Sequence, residues 1–118
     1  MRHGNHKYKL GVKPQHRKAL VQGLAIELIT HGKIKTTETQ AKAIKPFVEK
    51  LVTLAKIDTI ANRRLAFTKL NNKEAVSALF ANVAPKFKQR PGGYTRLLKL
   101  SEGRLGDGAK QAIIAFVE

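Results

Sequence analysis

Arg2, Lys7, Lys9, Lys13, Arg17 and Lys18 set six fixed positive charges ahead of the first carboxylate in the chain, Glu27. With no acid nearby to pair with, their chemistry is the neutralisation of a polyanion, and His3, His6 and His16 add imidazoles that can bond phosphate oxygens. Two further groups share this character: the Arg63-Arg64 pair, and Lys86, Lys88, Arg90 and Arg96 around Pro91-Gly92-Gly93-Tyr94. In the second group glycine lets the backbone approach a phosphate, the planar guanidinium bridges its oxygens, and a tyrosine ring can stack on an unpaired base. That combination favours RNA over duplex DNA.

Other chemistries find little support. The eight acids are Glu27, Glu38, Glu49, Asp58, Glu74, Glu102, Asp107 and Glu118, nowhere closer than five positions apart, so no carboxylate pair of a two-metal nuclease or glycosidase is visible. His3 and His6 have no third metal ligand near them and read as phosphate contacts or solvated groups. His31, just before Gly32, suits the negative end of a helix dipole. Ser101-Glu102-Gly103 and Gly106-Asp107-Gly108 match neither a nucleophile elbow nor a phosphate-binding P-loop. Lys42, Lys45, Lys56 and Lys69 are spaced like ordinary solvated helix faces. No catalytic residue, metal or cofactor is expected.

The elements that must position these groups follow from composition and periodicity. Twenty-three Lys and Arg against eight Asp and Glu give a net charge of +15 over 118 residues, and 42% hydrophobic content supplies one modest core. The chain should form a single domain, with residues 1–13 an extended basic arm and 14–118 a globular body. The arm has too few large apolar residues to offset an ordering entropy of roughly 1–2 kcal/mol per residue, so a partner must order it. No run approaches a membrane span or a secretory signal, and the absence of cysteine fits a reducing compartment; a cytoplasmic protein that avoids membranes is expected.

Within the body, Val21, Leu24, Ala25, Leu28 and Ile29 trace one helical face from Pro14 to His31-Gly32. Lys33 to Thr36 reads as a short strand or extended link. Thr37 and Gln40 have capping-box spacing before a second helix that runs to about Lys56, kinked or split at Pro46. Asp58 or Thr59 caps a short third helix, Asn71-Asn72 separates it from a fourth, and Pro85 ends the fourth. Tyr94–Leu100 and Gln111–Val117 read as strands of an antiparallel hairpin around a glycine-rich turn. The second is apolar on both faces, which suits a central strand with helices covering it. The expected fold is a two-layer α+β domain: helix, short strand, three helices, then the hairpin completing a small three-stranded mixed sheet.

Met1-Arg2-His3, His16-Arg17-Lys18-Ala19, Ile34-Lys35-Thr36-Thr37, Ala61-Asn62-Arg63-Arg64-Leu65-Ala66 and Arg90-Pro91-Gly92-Gly93-Tyr94-Thr95-Arg96 follow one another in an order that resembles the bacterial large-subunit ribosomal protein L17 family. The resemblance spans nearly the whole chain, departing from the family pattern in the arm and at Pro46. It implies a structural constituent of the ribosome that binds large-subunit ribosomal RNA near the outer end of the peptide exit tunnel, beside neighbouring large-subunit proteins. Carried over residue by residue, Arg2, His3, His16, Arg17 and Lys18 match the amino-terminal RNA-contacting region. Thr36 and Thr37, with Lys35 beside them, match the turn before helix two; Arg63 and Arg64 the third helix; Gly92, Gly93, Tyr94 and Arg96 the basic loop. A free RNA chaperone or nucleoid-type binder would share the charge but bind without preference, and a nuclease using His16 or His31 would cleave.

Overall fold

The computed structural model describes residues 14–103, 106 and 108–117. The arm, with Arg2, His3, Lys7, Lys9 and Lys13, lies outside the described residues. Helix α1 (Pro14–His31) ends where Gly32 adopts φ +84° and donates its N–H to the Leu28 carbonyl, a left-handed closure that glycine takes without a Cβ clash. Strand β1 (Lys33–Thr37) leads directly into α2 (Glu38–Ala55), whose first turn is capped by Thr37 Oγ1 accepting from the Gln40 N–H at 3.3 Å. Gln40 does not complete the reciprocal capping box: its Oε1 accepts from Thr36 Oγ1 instead. Pro46 neither splits nor ends α2, which is one helix of 18 residues.

Helix α3 (Ile60–Leu70) is capped by Thr59 and closed by Asn71 at φ 55°, and Asn72 then caps α4 (Lys73–Ala78) by accepting from the Ala75 N–H at 2.9 Å. The adjacent asparagines divide the work because one tolerates the left-handed conformation and the other offers a side-chain acceptor. Pro85 does not end the helical path. After α4 a wider π-helical turn (Leu79–Val83) is closed by the Ala84 N–H on the Leu79 carbonyl, and Pro85 sits at the start of a 3₁₀ turn (Ala84–Phe87), where a missing amide hydrogen costs no bond.

Strands β2 (Thr95–Gly103) and β3 (Lys110–Phe116) complete a sheet in the order β1-β3-β2. The sheet is antiparallel throughout, not mixed. β1 and β2 do run in the same direction, but β3 lies between them, so every hydrogen-bonded pair is antiparallel. The central place of β3 is as its apolar sequence requires; its coverage is not. Ala112 and Ile114 are fully buried beneath the helices, while Ile113 and Ala115 on the opposite face are only half-buried. Leu28, Ile44, Val48, Leu51, Leu70, Leu79 and Ile114 fill the single core between the helix layer and that inner face. Each such side chain contributes roughly 1.5–3 kcal/mol on burial, enough to hold the helices as one layer.

Candidate nucleic-acid interface

The register of the sheet decides which cations share a surface. Lys33, Ala115 and Arg96 form one cross-strand row and Lys35, Ile113 and Leu98 the next, all on the face opposite the buried Ala112 and Ile114. Lys33, Lys35 and Arg96 are exposed, and Leu98 is 47% exposed. The open face is therefore an apolar strip bordered by three cations, without a carboxylate in either row. Lys33 belongs to this set although it is not among the residues that the sequence singles out. Strand alternation from Lys35 is the signal that points to it.

Thr36 and Thr37 play a different part. Both hydroxyls are engaged at the start of α2, Thr36 donating to Gln40 Oε1 and Thr37 accepting from the Gln40 N–H, so they set the entry to the helix. Glu38, the next residue, lies between Lys42 at 2.9 Å and Lys99 at 3.3 Å, and these two ammonium groups hold its carboxyl below the usual range.

The loop between the 3₁₀ turn and β2 is anchored rather than free. Three residues on one face of α2, Glu49, Thr53 and Lys56, grip it at successive points. The Thr95 hydroxyl donates to Glu49 Oε2 at 3.1 Å, Thr53 Oγ1 lies 3.2 Å from the Tyr94 hydroxyl, and Lys56 donates to the Arg90 carbonyl while sitting 4.6 Å from the Tyr94 ring centre. The Lys56 ammonium and the Thr53 hydroxyl hold the Tyr94 phenol below its ordinary pKa. Arg90 turns inward as well, its Nε donating to the carbonyls of Gly92 and Gly93 at 3.0 Å each, with Gly93 at φ 63°.

Tyr94 is therefore not an exposed stacking platform. It is 1% exposed, and its ring packs against Phe87 with centroids 5.3 Å apart. The cations exposed here are Lys86 in the 3₁₀ turn and Lys88 and Arg90 in the loop. Lys56, whose spacing suggests a solvated lysine, proves to be the residue that fixes the loop.

Arg63 and Arg64 separate in role. Arg63 makes a two-pronged bond to Asp58, Nε to Oδ1 at 2.6 Å and Nη2 to Oδ2 at 2.8 Å, and its guanidinium lies 4.9 Å from the centre of the Phe80 ring. Asp58 is held below the ordinary carboxylate range first by Arg63 and further by the positive charge of Lys88. Asp58 bonds Arg63 and so braces the start of α3. Arg64 is exposed and makes no ion pair with a described residue. Asn62, in the same motif, closes the end of α2 by donating to the carbonyls of Leu54 at 3.2 Å and Ile57 at 2.8 Å.

His16 and Lys18 are exposed in the first turns of α1, with Arg17 half-buried beside them and no acid in the first turn. Cations there face the positive end of the helix dipole, an arrangement that an external anion relieves. They stand apart from the other clusters, since His16 and His31 are separated by about 22 Å of helix rise. The structure therefore brings Lys33, Lys86 and Arg96 together around one cleft, but leaves His16, Arg17 and Lys18 at the far end of α1.

Among the described residues no three His, Asp or Glu side chains gather as a metal site, and no helix is long and apolar enough to cross a membrane. An α+β scaffold that turns cations outward from a sheet face, a braced loop and two helix ends is organised to hold positive charges at fixed spacing. Residues 20–117 match the family model described as Ribosomal protein L17. The large ribosomal subunit protein bL17 of Persephonella marina is 57% identical over 105 residues, 88% of this chain and 85% of that protein. Those of Methylacidiphilum infernorum and Lawsonia intracellularis are 50% and 51% identical, covering 100% and 98% of this chain and 89% and 92% of their own lengths. The chain belongs to the ribosomal protein L17 family, a family of structural ribosomal proteins and not of enzymes.

Proposed function

We propose that this protein is built into the bacterial large ribosomal subunit, in the cytoplasm, where it binds and stabilises folded ribosomal RNA. The observation that carries the reading is the bordering of the open sheet face by Lys33, Lys35 and Arg96 with no carboxylate among them. With the basic arm, His16, Arg17 and Lys18, the cations of the loop and Arg64, these groups neutralise phosphates of RNA segments that would otherwise repel one another, while the rigid body fixes their spacing. Position near the outer end of the exit tunnel belongs to the same proposal. Ile57 and Ile60, 66% and 70% exposed at the start of α3, give a neighbouring ribosomal protein an apolar contact beside the RNA-facing cations.

Incorporation is the test. The tagged chain, expressed in its host, should sediment with large subunits and 70S ribosomes on a sucrose gradient, stay there through a high-salt wash, and crosslink to large-subunit RNA. Recovery only at the top of the gradient, with RNA of every kind, would instead establish a free RNA-binding protein. Cleavage of labelled RNA at defined positions, lost in a His16→Gln/His31→Gln variant, would establish a nuclease.

A further inference from the structure

Where α1 ends against the sheet, a cleft opens between the last turn of α1, the π-helical and 3₁₀ turns, and the edge formed by the start of β1, the end of β3 and the start of β2. Its rim carries His31, Lys33, Lys86 and Arg96, all exposed, and none of the residues lining it is Asp or Glu. Its walls are apolar, with Phe116 and Val117 half-exposed and Val83 and Phe87 buried behind them. Asn82, exposed on the helical side, supplies an amide that both donates and accepts.

We infer that this cleft receives a single unstacked nucleotide of the bound RNA, its base against the apolar wall and its flanking phosphates on Lys33, Lys86 and Arg96. This deepens the RNA-binding reading above and rests on it. Lys33 and Arg96 flank Ala115 in one cross-strand row, so two long cationic side chains stand about 10 Å apart at the backbone with only a methyl group between them. That spacing leaves a gap for something thin and flat. An A-form duplex presents a wide, shallow minor groove and has nothing to insert into a concavity, whereas a bulged or loop nucleotide offers a planar base with two faces to cover and an edge to hydrogen-bond. The exposed His31 ring can lie on one face of such a base, and the Asn82 amide can read its edge. A cationic rim free of acids supplies the charge complementarity, and the apolar wall offers a surface for a base.

The full chain should be titrated by fluorescence anisotropy with a 20-base-pair RNA duplex and with the same duplex carrying one bulged adenosine. The bulged RNA should bind about tenfold more tightly, equivalent to about 1.4 kcal/mol. An Asn82→Trp variant, which fills the cleft from an exposed position, should lose that preference while keeping its affinity for the plain duplex, with an unchanged circular dichroism spectrum confirming the fold. An Arg96→Gln variant tests the rim separately and should weaken the bulged complex more than the plain one. Adenosine 5′-monophosphate in NMR titration should shift Phe116 and Val117, whereas inorganic phosphate should move only the rim. Equal affinity for the two RNAs, with both variants weakening them equally, overturns the nucleotide site and leaves the RNA-binding reading standing. Failure of the wild type to bind either RNA overturns both. Displacement of the monophosphate by a poly-glutamate peptide at equal concentration also overturns the inference, in favour of an acidic protein segment.

Discussion

The ammonium of Lys56 lies 4.6 Å from the centre of the Tyr94 ring and donates to the carbonyl of Arg90, so one side chain of α2 holds both the tip and the end of the basic loop. The loop's charges are consequently presented from a fixed backbone. A pre-set loop loses less entropy on binding RNA than a mobile one of the same composition.

A first prediction separates the buried role of Tyr94 from base stacking. Tyr94→Phe keeps the ring and removes one hydroxyl contact with Thr53, so it should cost about 1 kcal/mol and leave RNA affinity unchanged. Tyr94→Ala empties a core position and should cost about 3–5 kcal/mol, as aromatic truncations do. Chemical denaturation and RNA titration of the two variants check this; weaker binding by Tyr94→Phe at unchanged stability would mean that the hydroxyl meets RNA.

Arg63 and Arg64 should respond in opposite ways. Arg63→Gln breaks the two-pronged bond to Asp58 and the contact with Phe80, and should lower the melting temperature. Arg64→Gln removes an exposed cation without a described partner and should leave stability within about 0.5 kcal/mol while weakening RNA binding. Thermal melts and salt-titrated binding of each single variant distinguish them, and identical behaviour of the two would refute the division.

Local chemistry made much of this fold legible in the sequence. Gly32, Thr37, Thr59 and Asn71-Asn72 mark element ends because each has a steric or hydrogen-bonding reason to sit there, and the apolar run Ala112–Ala115 announces a central strand. Pairings between distant residues were not legible. Asp58 lies five residues from Arg63, yet nothing in the spacing separates a bonded arginine from its solvated neighbour. Tyr94 sits among glycines and arginines like a surface aromatic, and only the arrival of α2 and Phe87 buries it. The row Glu49, Thr53 and Lys56 does have helical spacing, but α2 carries other polar residues such as Lys45 and Lys50, so nothing in the sequence marks this row as the one that meets the loop. The direction of the sheet was hidden for the same reason, because β3 threads between two strands that run the same way.

Acid should loosen the protein through two carboxylates. Glu38, held down first by Lys42 and then by Lys99, and Asp58, held down first by Arg63, have folded pKa values below their ordinary 4.5 and 3.8. Their contribution to stability is complete above those ordinary values and is lost as the pH falls through the depressed ones. The denaturation midpoint should therefore be level from neutrality to about pH 5 and decline below it. In a Glu38→Gln/Asp58→Asn variant the neutral midpoint should be lower and the acid decline shallower; a decline of the same steepness would assign it to other groups.

Deletion of residues 2–13 removes Arg2, Lys7, Lys9 and Lys13 together with His3 and His6, and no residue of the core described above. The shortened body should keep its circular dichroism spectrum and melting temperature, because Pro14 begins α1 and the packing of that helix against the core starts at Val21. RNA affinity should fall, and its dependence on salt should flatten: each phosphate that is no longer neutralised lowers the slope of log affinity against log salt by about 0.7–0.9. If all four cations of the arm meet phosphate, the slope should drop by about 3, a change easily measured between low and moderate salt. An unchanged slope would show that the arm does not meet phosphate, leaving the sheet face, the braced loop, Arg64 and the start of α1 as the electrostatic footprint.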